Sequence, residues 1–200
     1  MAGKLFVFEG PDGVGKTTLS KLATDLLNTA GQRAEWLSFP GRAPGTLGHL
    51  VYAVHHEPQK MGINHLTDAA KQTLHIAAHV DAIESIIRPL LAAGTHVVLD
   101  RFWWSTWVYG LTAGLNEELL RALIAVERLC WGPTLPSLLL LVETARPRDR
   151  ADEKMAHFQA LSAAYQMLAV QESTTFAVRT LNNDAALSLT QQALEAHLFS

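Results

Sequence analysis

A single cysteine, Cys130, stands among 200 residues, so no disulfide can close within the chain and a reducing cytoplasm is the expected compartment. Cys130 lies in ALIAVERLCW, where a small buried apolar residue is a better reading than a nucleophile. No apolar run approaches the ~20 residues that cross a bilayer, and the N-terminal stretch lacks the charged-then-apolar layout of a secretion signal. No membrane association is therefore expected. Basic residues are not in excess either: 16 Lys and Arg face 19 Asp and Glu, a formal charge of −3. That balance argues against a nucleic-acid-binding surface. Internal repeats, low-complexity tracts and long linkers are absent, which leaves one domain over residues 1–200 as the expectation.

What is present begins at EGPDGVGKTT. Leu5 to Phe8 is a short apolar run suited to a buried strand, and from Lys16 onward Leu19, Leu22, Ala23, Leu26 and Leu27 recur at helical spacing. Between them, Gly10 to Thr17 satisfies G-x-x-x-x-G-K-[ST] in the strand-to-helix setting that motif requires. Such a loop wraps a phosphate chain in backbone N–H groups, aims a helix N-terminus at it and adds a lysine. Gly10, Pro11, Asp12, Gly13, Val14, Gly15, Lys16, Thr17 and Thr18 are thus the candidate binding residues for ATP, with the Thr17 hydroxyl set to ligate Mg²⁺.

Further along, Ala34–Phe39 reads as a strand closed by Pro40 and Gly41, and Gly45–His56 as a short helix. Thr67–Ala93 is a long helical pattern with a kink expected at Pro89. THVVLD is a buried strand ending at Asp100; RFWWSTWVYG leads into a helix, and Glu117–Leu129 is another. PSLLLLVE is a strand followed by the arginine-rich loop ARPRDR. A helix from Asp152 to about Gln171, a strand Phe176–Leu181 and a helix Asp184–Leu198 complete the pattern. Strands alternating with helices predict an α/β fold of the P-loop NTPase type: a five-stranded parallel sheet with helices on both faces. Ligands in such sheets bind beyond the carboxyl ends of the strands.

At those ends stand Asp12 in the P-loop, FPGR (Phe39 to Arg42) after the second strand, and Asp100–Arg101 after the third. FEGPDGVGKTT, FPGR, DRFWWSTWVYG, the arginine loop and a terminal strand–loop–helix, in this order, resemble the thymidylate kinase family over almost the whole chain. The resemblance implies transfer of the γ-phosphoryl of ATP to a pyrimidine deoxynucleoside monophosphate, dTMP or a 5-modified relative, with Mg²⁺ as cofactor, and a homodimer. Lys16 would hold the β and γ oxygens, while Arg42 and Arg101 suit an acceptor phosphate through bidentate, always-charged forks. Asp100 resembles an acid that orients Mg²⁺ through water, although a strand-end pairing with Lys16 is an alternative. The resemblance puts Asp12 on the acceptor's 3′-hydroxyl, Tyr109 where a ribose 2′-hydroxyl would intrude, and Thr106 on the pyrimidine ring. Gly13 stands where some members carry an arginine. The resemblance then implies that the lid loop, residues 144–152 with Arg146, Arg148 and Arg150, supplies that charge. Few residues separate LVE from the next helix, so an ordinary lid helix is not expected.

The base pocket departs from the family. Counting back from Asp100, the stacking phenylalanine falls at His75 and the base-reading arginine at His79. HIAAH sets the two rings one helical turn apart on one face. Zinc is an alternative use of such a pair, but no H-E-x-x-H acid and no third ligand accompany it. Purely structural histidines are another. A remodelled pocket that admits a larger or more polar 5-substituent than methyl, or a cytosine ring, is the reading carried forward; Trp103, Trp104 and Trp107 either add aromatic bulk beside it or pack as a helix face. Three other functions compete with it. A deoxynucleoside kinase has no need of an acceptor-phosphate clamp such as Arg42. A nucleotide switch or non-catalytic module needs an N-K-x-D or equivalent, and none is present. A kinase acting on bases within DNA conflicts with the acidic balance.

Overall fold

The structure, a computed structural model, describes residues 2–145, 147 and 155–199. Five short strands form one parallel sheet: β1 (Leu5–Glu9), β2 (Ala34–Ser38), β3 (His96–Asp100), β4 (Leu138–Glu143) and β5 (Val178–Asn182), in the order β2-β3-β1-β4-β5. β1 runs between β3 and β4, with Phe8 opposite both Asp100 and Leu140. The apolar runs that mark these strands are continuous because both sheet faces are covered. Alternate side chains feed two cores. Leu5, Val7 and Leu99 pack with Ile83, Trp104 and Tyr165 on one face, while Phe6, Phe8 and Leu140 meet Leu19, Ala23 and Leu27 on the other. The expected P-loop NTPase architecture is the one observed.

The helices are α1 (Lys16–Thr29), α2 (Leu47–His56), α3 (Asp68–Ala82), α4 (Arg88–Ala92), α5 (Trp103–Thr112), α6 (Glu117–Trp131), α7 (Met155–Glu172) and α8 (Leu187–Leu198). Several differ from the sequence expectation, each for a local reason. α2 starts at Leu47, not Gly45, because the Thr46 hydroxyl caps it by accepting the His49 N–H. Thr67 plays the same part for α3, accepting from Ala70. The irregularity in the long helical stretch lies at Ile83–Ile87, ahead of Pro89, as a π-helical turn in which the Arg88 N–H reaches the Ile83 carbonyl. Proline removes one helical donor and crowds the preceding turn, and a widened turn there accommodates it. α6 extends past Leu129 to Trp131 and stops at Gly132. β2 ends at Ser38 rather than Phe39, and β5 is shifted to begin at Val178. The last helix begins at Leu187 instead of Asp184, since the Asp184 carboxylate accepts from Thr144 and the Ala145 N–H instead of opening a helix. α7 begins at Met155; the expected start at Asp152 lies outside the described residues. Among the described residues no helix is long and apolar enough to cross a membrane.

One contact fixes the FPGR loop. A Cβ on Gly48 would lie 1.8 Å from the Pro40 carbonyl oxygen, so α2 sits directly on the backbone of that loop only because residue 48 has no side chain. Gly48→Ala must push the two apart. Overpacking of this kind costs about 1–3 kcal/mol, and thermal denaturation should show the loss together with a raised KM for whatever Arg42 binds.

Candidate functional site

The P-loop runs from Gly10 to Gly15 with positive φ at Gly10, Gly13 and Gly15, a backbone path that glycine adopts without the penalty of a Cβ. Gly15 is also pinned from the far edge of the sheet, where the Asn183 amide donates to the Val14 carbonyl at 2.8 Å. Lys16 is 5 % exposed, and its Nζ donates to the Pro11 carbonyl at 2.7 Å. Burial, with the nearby Arg101 charge adding to it, lowers the Lys16 ammonium to about 7. The Thr17 hydroxyl donates to Asp100 Oδ2 at 2.5 Å, and the buried Oδ1 of the same carboxylate has no partner among the described residues. Asp100 therefore bonds Thr17; the alternative of a direct pair with Lys16 is not what the structure contains. A hydroxyl and a half-satisfied carboxylate beside a phosphate-binding loop fit Mg²⁺, which takes few protein ligands and fills the rest with phosphate oxygens and water. Among the described residues no cluster of three metal-binding side chains exists, and the pair His75–His79 is not part of one.

Arg101 occupies the left-handed region at φ 78, unusual for a residue with a side chain. Its backbone N–H is tied to the Phe8 carbonyl, and its guanidinium reaches both Asp12 and the Ser105 hydroxyl. Tyr109 completes the group, its hydroxyl donating to Asp12 Oδ2 at 2.9 Å. Burial raises the Tyr109 phenol to about 12, so it remains a neutral donor. Asp12, Arg101 and Tyr109, chosen separately from the sequence, thus form one contiguous cluster.

A residue that sequence reasoning missed supports this cluster from below. Glu9, fully buried at the end of β1, accepts from the Phe102 N–H, the Ser105 N–H and the Ser105 hydroxyl at 2.7–2.9 Å. Phe102 is the N-cap of α5 and has no side-chain acceptor of its own, so Glu9 caps that helix from another strand. Ser105 in turn meets the Tyr165 hydroxyl of α7 at 2.9 Å. Burial pushes the Glu9 carboxyl above its ordinary range, against the opposing pull of Arg101, Ser105 and Lys16. The signal was available: Glu9 ends its strand in FEG as Asp100 ends its own in VLD.

Two cavities meet over this cluster. One, lined by Asp12, Gly13, Gly15, Lys16, Thr17, Thr18, Asp100 and Arg101, follows the P-loop. The second, about 260 Å³, is lined by Phe39, Pro40, Tyr52, His55, His75, His79, Thr106 and Tyr109. Asp12, Phe39, Arg42 and Arg101 belong to both walls. The Arg42 guanidinium lies 4.4 Å over the Tyr52 ring and has no carboxylate partner among the described residues. His75 and His79 both line the second cavity, but each is already engaged. His75 Nε2 is 2.8 Å from His55 Nδ1, and burial, reinforced by the neighbouring His79, drives its imidazole down to about 3. His79 stacks on Phe39 at 4.0 Å between ring centres and bonds Glu127 through Nδ1.

The tryptophans do not flank that cavity; of the two readings the sequence left open, packing on a helix face is the one observed. Helical spacing turns Thr106 and Tyr109 toward it and carries Trp103 and Trp104 into the sheet-face core, Trp104 with no exposed surface. Trp107 instead lies beneath Arg121 of α6. Arg146, Arg148 and Arg150 lie outside the described residues.

A P-loop at the end of a parallel sheet, sharing an arginine-bearing wall with a second cavity, has the two-site form of a nucleoside monophosphate kinase. Comparison with known proteins narrows the class. Residues 8–186 match the family model described as Thymidylate kinase. The chain is 32% identical to the thymidylate kinase of Chromohalobacter salexigens, with 98% of this chain and 95% of that protein covered. It is 31% identical to that of Nitrobacter hamburgensis, over 92% of this chain and 84% of the other. The crystal structure of thymidylate kinase from Ehrlichia chaffeensis superposes with a TM-score of 0.76 at 19% identity, covering 99% of this chain and all of that one, which bears on the fold. The chain belongs to the thymidylate kinase family. It is an ATP-binding phosphotransferase acting on a pyrimidine nucleotide.

Proposed function

We propose that the enzyme transfers the γ-phosphoryl of ATP to the 5′-phosphate of a pyrimidine deoxynucleoside monophosphate, dTMP or a close relative, yielding the diphosphate. The observation that carries this is the wall shared by the two cavities: Asp12, Arg42 and Arg101 line both the P-loop groove and the second pocket. Moving a phosphoryl group between two anions needs alignment and charge neutralisation more than covalent catalysis. Lys16 and the P-loop N–H groups would hold the donor's phosphates, while Arg42 and Arg101 hold the acceptor's. Thr17 and Asp100 would carry Mg²⁺, which when bound neutralises charge on the donor's phosphate oxygens. Asp12, which accepts hydrogen bonds from Tyr109 and Arg101, would take the sugar 3′-hydroxyl, and Tyr109 would pack where a 2′-hydroxyl intrudes, which favours deoxyribose. The lid arginines Arg146, Arg148 and Arg150 complete the proposal as the source of positive charge that Gly13 does not provide.

A deoxynucleoside kinase would present a carboxylate base to a neutral 5′-hydroxyl. The residues common to both cavities instead include two arginines, and the only carboxylate among them, Asp12, is bonded to Arg101 and Tyr109. A panel of deoxynucleoside monophosphates, 5-modified pyrimidines included, offered with ATP and Mg²⁺ tests the acceptor class. Diphosphate should form from pyrimidine members; consumption of purine monophosphates alone would refute the assignment.

Arg42→Ala should raise the acceptor's KM about tenfold or more and change kcat much less. The guanidinium grips a phosphate that carries its charge already in the ground state, and a charge-assisted hydrogen bond is worth about 1.5–3 kcal/mol. Steady-state kinetics with the acceptor varied would expose the error if KM stayed at the wild-type value.

A further inference from the structure

We propose that Glu127 is a positioning residue that commits His79 as a hydrogen-bond donor toward the base, so that the pocket selects pyrimidines bearing a carbonyl rather than an amino group at C4. The inference deepens the acceptor assignment above and rests on it. His79 on α3 is 2 % exposed and Glu127 on α6 is fully buried. His79 Nδ1 lies 2.8 Å from Glu127 Oε2, and Trp131 Nε1 donates to Oε1 at 3.2 Å. Each carboxylate oxygen thus faces a ring N–H. No other cation pairs with Glu127 among the described residues. A buried carboxylate without a positive partner is strongly destabilising, and His79 is the group placed to carry the compensating proton. With Nδ1–H given to Glu127, the second proton sits on Nε2. That nitrogen has no partner among the described residues, and the ring forms part of the cavity wall. Phe39 stacked on one face of the ring holds its orientation. A ring with N–H at both nitrogens can only donate, so Nε2–H matches a C4 carbonyl and meets a C4 amino group donor to donor.

The groups facing His79 allow the proton to be assigned. His75 on the same helix is neutral down to about pH 3, its imidazole driven low by burial and by His79 beside it. His55 on α2 is likewise lowered by burial, with His56 adding to it. Arg101 keeps its charge, and Asp12 is bonded to Arg101 and Tyr109.

The test compares dUMP with dCMP, which differ only in the C4 group and the adjoining ring nitrogen, as a ratio of kcat/KM at one fixed pH, so that the acceptor phosphate's own ionisation, common to both, cancels. The wild-type ratio should favour dUMP about tenfold, the discrimination one hydrogen bond supplies. Glu127→Gln, whose neutral amide does not hold the proton, should lower that ratio about tenfold. Should that variant fail to fold, imidazole ¹⁵N spectra of wild-type enzyme with dUMP bound decide: two protonated His79 nitrogens support the assignment, one overturns it. Transfer to both nucleotides with equal kcat/KM in the wild-type enzyme, or an unchanged ratio in Glu127→Gln, overturns this inference alone. Absence of transfer to any pyrimidine monophosphate overturns the acceptor assignment, and this inference falls with it.

Discussion

Lys16→Ala is expected to lower kcat/KM for ATP by about a hundredfold to a thousandfold, the scale on which single charge-stabilising donors act in phosphoryl and acyl transfer. Lys16 opens α1 immediately after the last P-loop glycine, and among the described residues its side chain bonds only a carbonyl within the loop itself. Its side chain takes no part in either sheet-face core, so circular dichroism and thermal melting of the variant should remain close to wild type. The same residue gives the reaction a pH signature. Burial lowers its ammonium to about 7 in the free enzyme. Protonated below that value, it attracts phosphate; above it, an incoming ATP must bring the proton back. The kcat/KM for ATP should therefore decline as pH rises through about 7, since this parameter reports the free enzyme's ionisations. A lysine variant with near-normal turnover would remove the donor-site assignment.

Arg101→Ala is expected to be as damaging and to differ in kind. Arg101 belongs to both cavities, bonds Asp12 and Ser105, and stands near the buried Glu9. Its loss removes positive charge from the place where donor and acceptor phosphates meet, so kcat should fall about a hundredfold or more, with acceptor KM rising as well. It also takes away a cation whose pull keeps the Glu9 carboxyl from rising further. Glu9 would then favour its protonated form and give up the strength of its bonds to the α5 N-terminus, lowering the melting temperature. Arg101→Lys separates the two effects. It restores charge near Glu9 and hence stability, while a point charge in place of a planar fork leaves kcat low. Wild-type kcat in Arg101→Ala, measured at saturating substrates, would contradict its place at the transfer point.

The backbone path of the P-loop was legible in the sequence. A strand, a glycine loop and a helix lie consecutively from Leu5 to Thr29, so their arrangement is set by short-range spacing and backbone geometry. The strand ends were legible for the same reason: Asp100 and Arg101 directly follow a buried apolar run. The acceptor half was less so, because its decisive contacts join distant segments. Glu127 lies 48 residues from His79, and the Glu9 bonds to Phe102 and Ser105 span 93 and 96. Nothing in HIAAH reveals a carboxylate on another helix. The tryptophans were left between two readings, beside the base pocket or packed on a helix face, and the helical repeat sends Trp103 and Trp104 to the core. Buried aromatic bulk on a short helix is commonly packing, and here it fills the face between α5, α7 and the sheet.

The central claim is that phosphoryl passes to a phosphate and not to a hydroxyl, and one measurement tests it most directly. Purified enzyme with ATP and Mg²⁺ is given thymidine in one reaction and dTMP in another, and the products are resolved by chromatography or ³¹P NMR. Conversion of dTMP to dTDP with thymidine left unchanged is the expected result, because Arg42 and Arg101 wall the acceptor cavity with positive charge. Conversion of thymidine to dTMP, with dTMP itself left untouched, would contradict it.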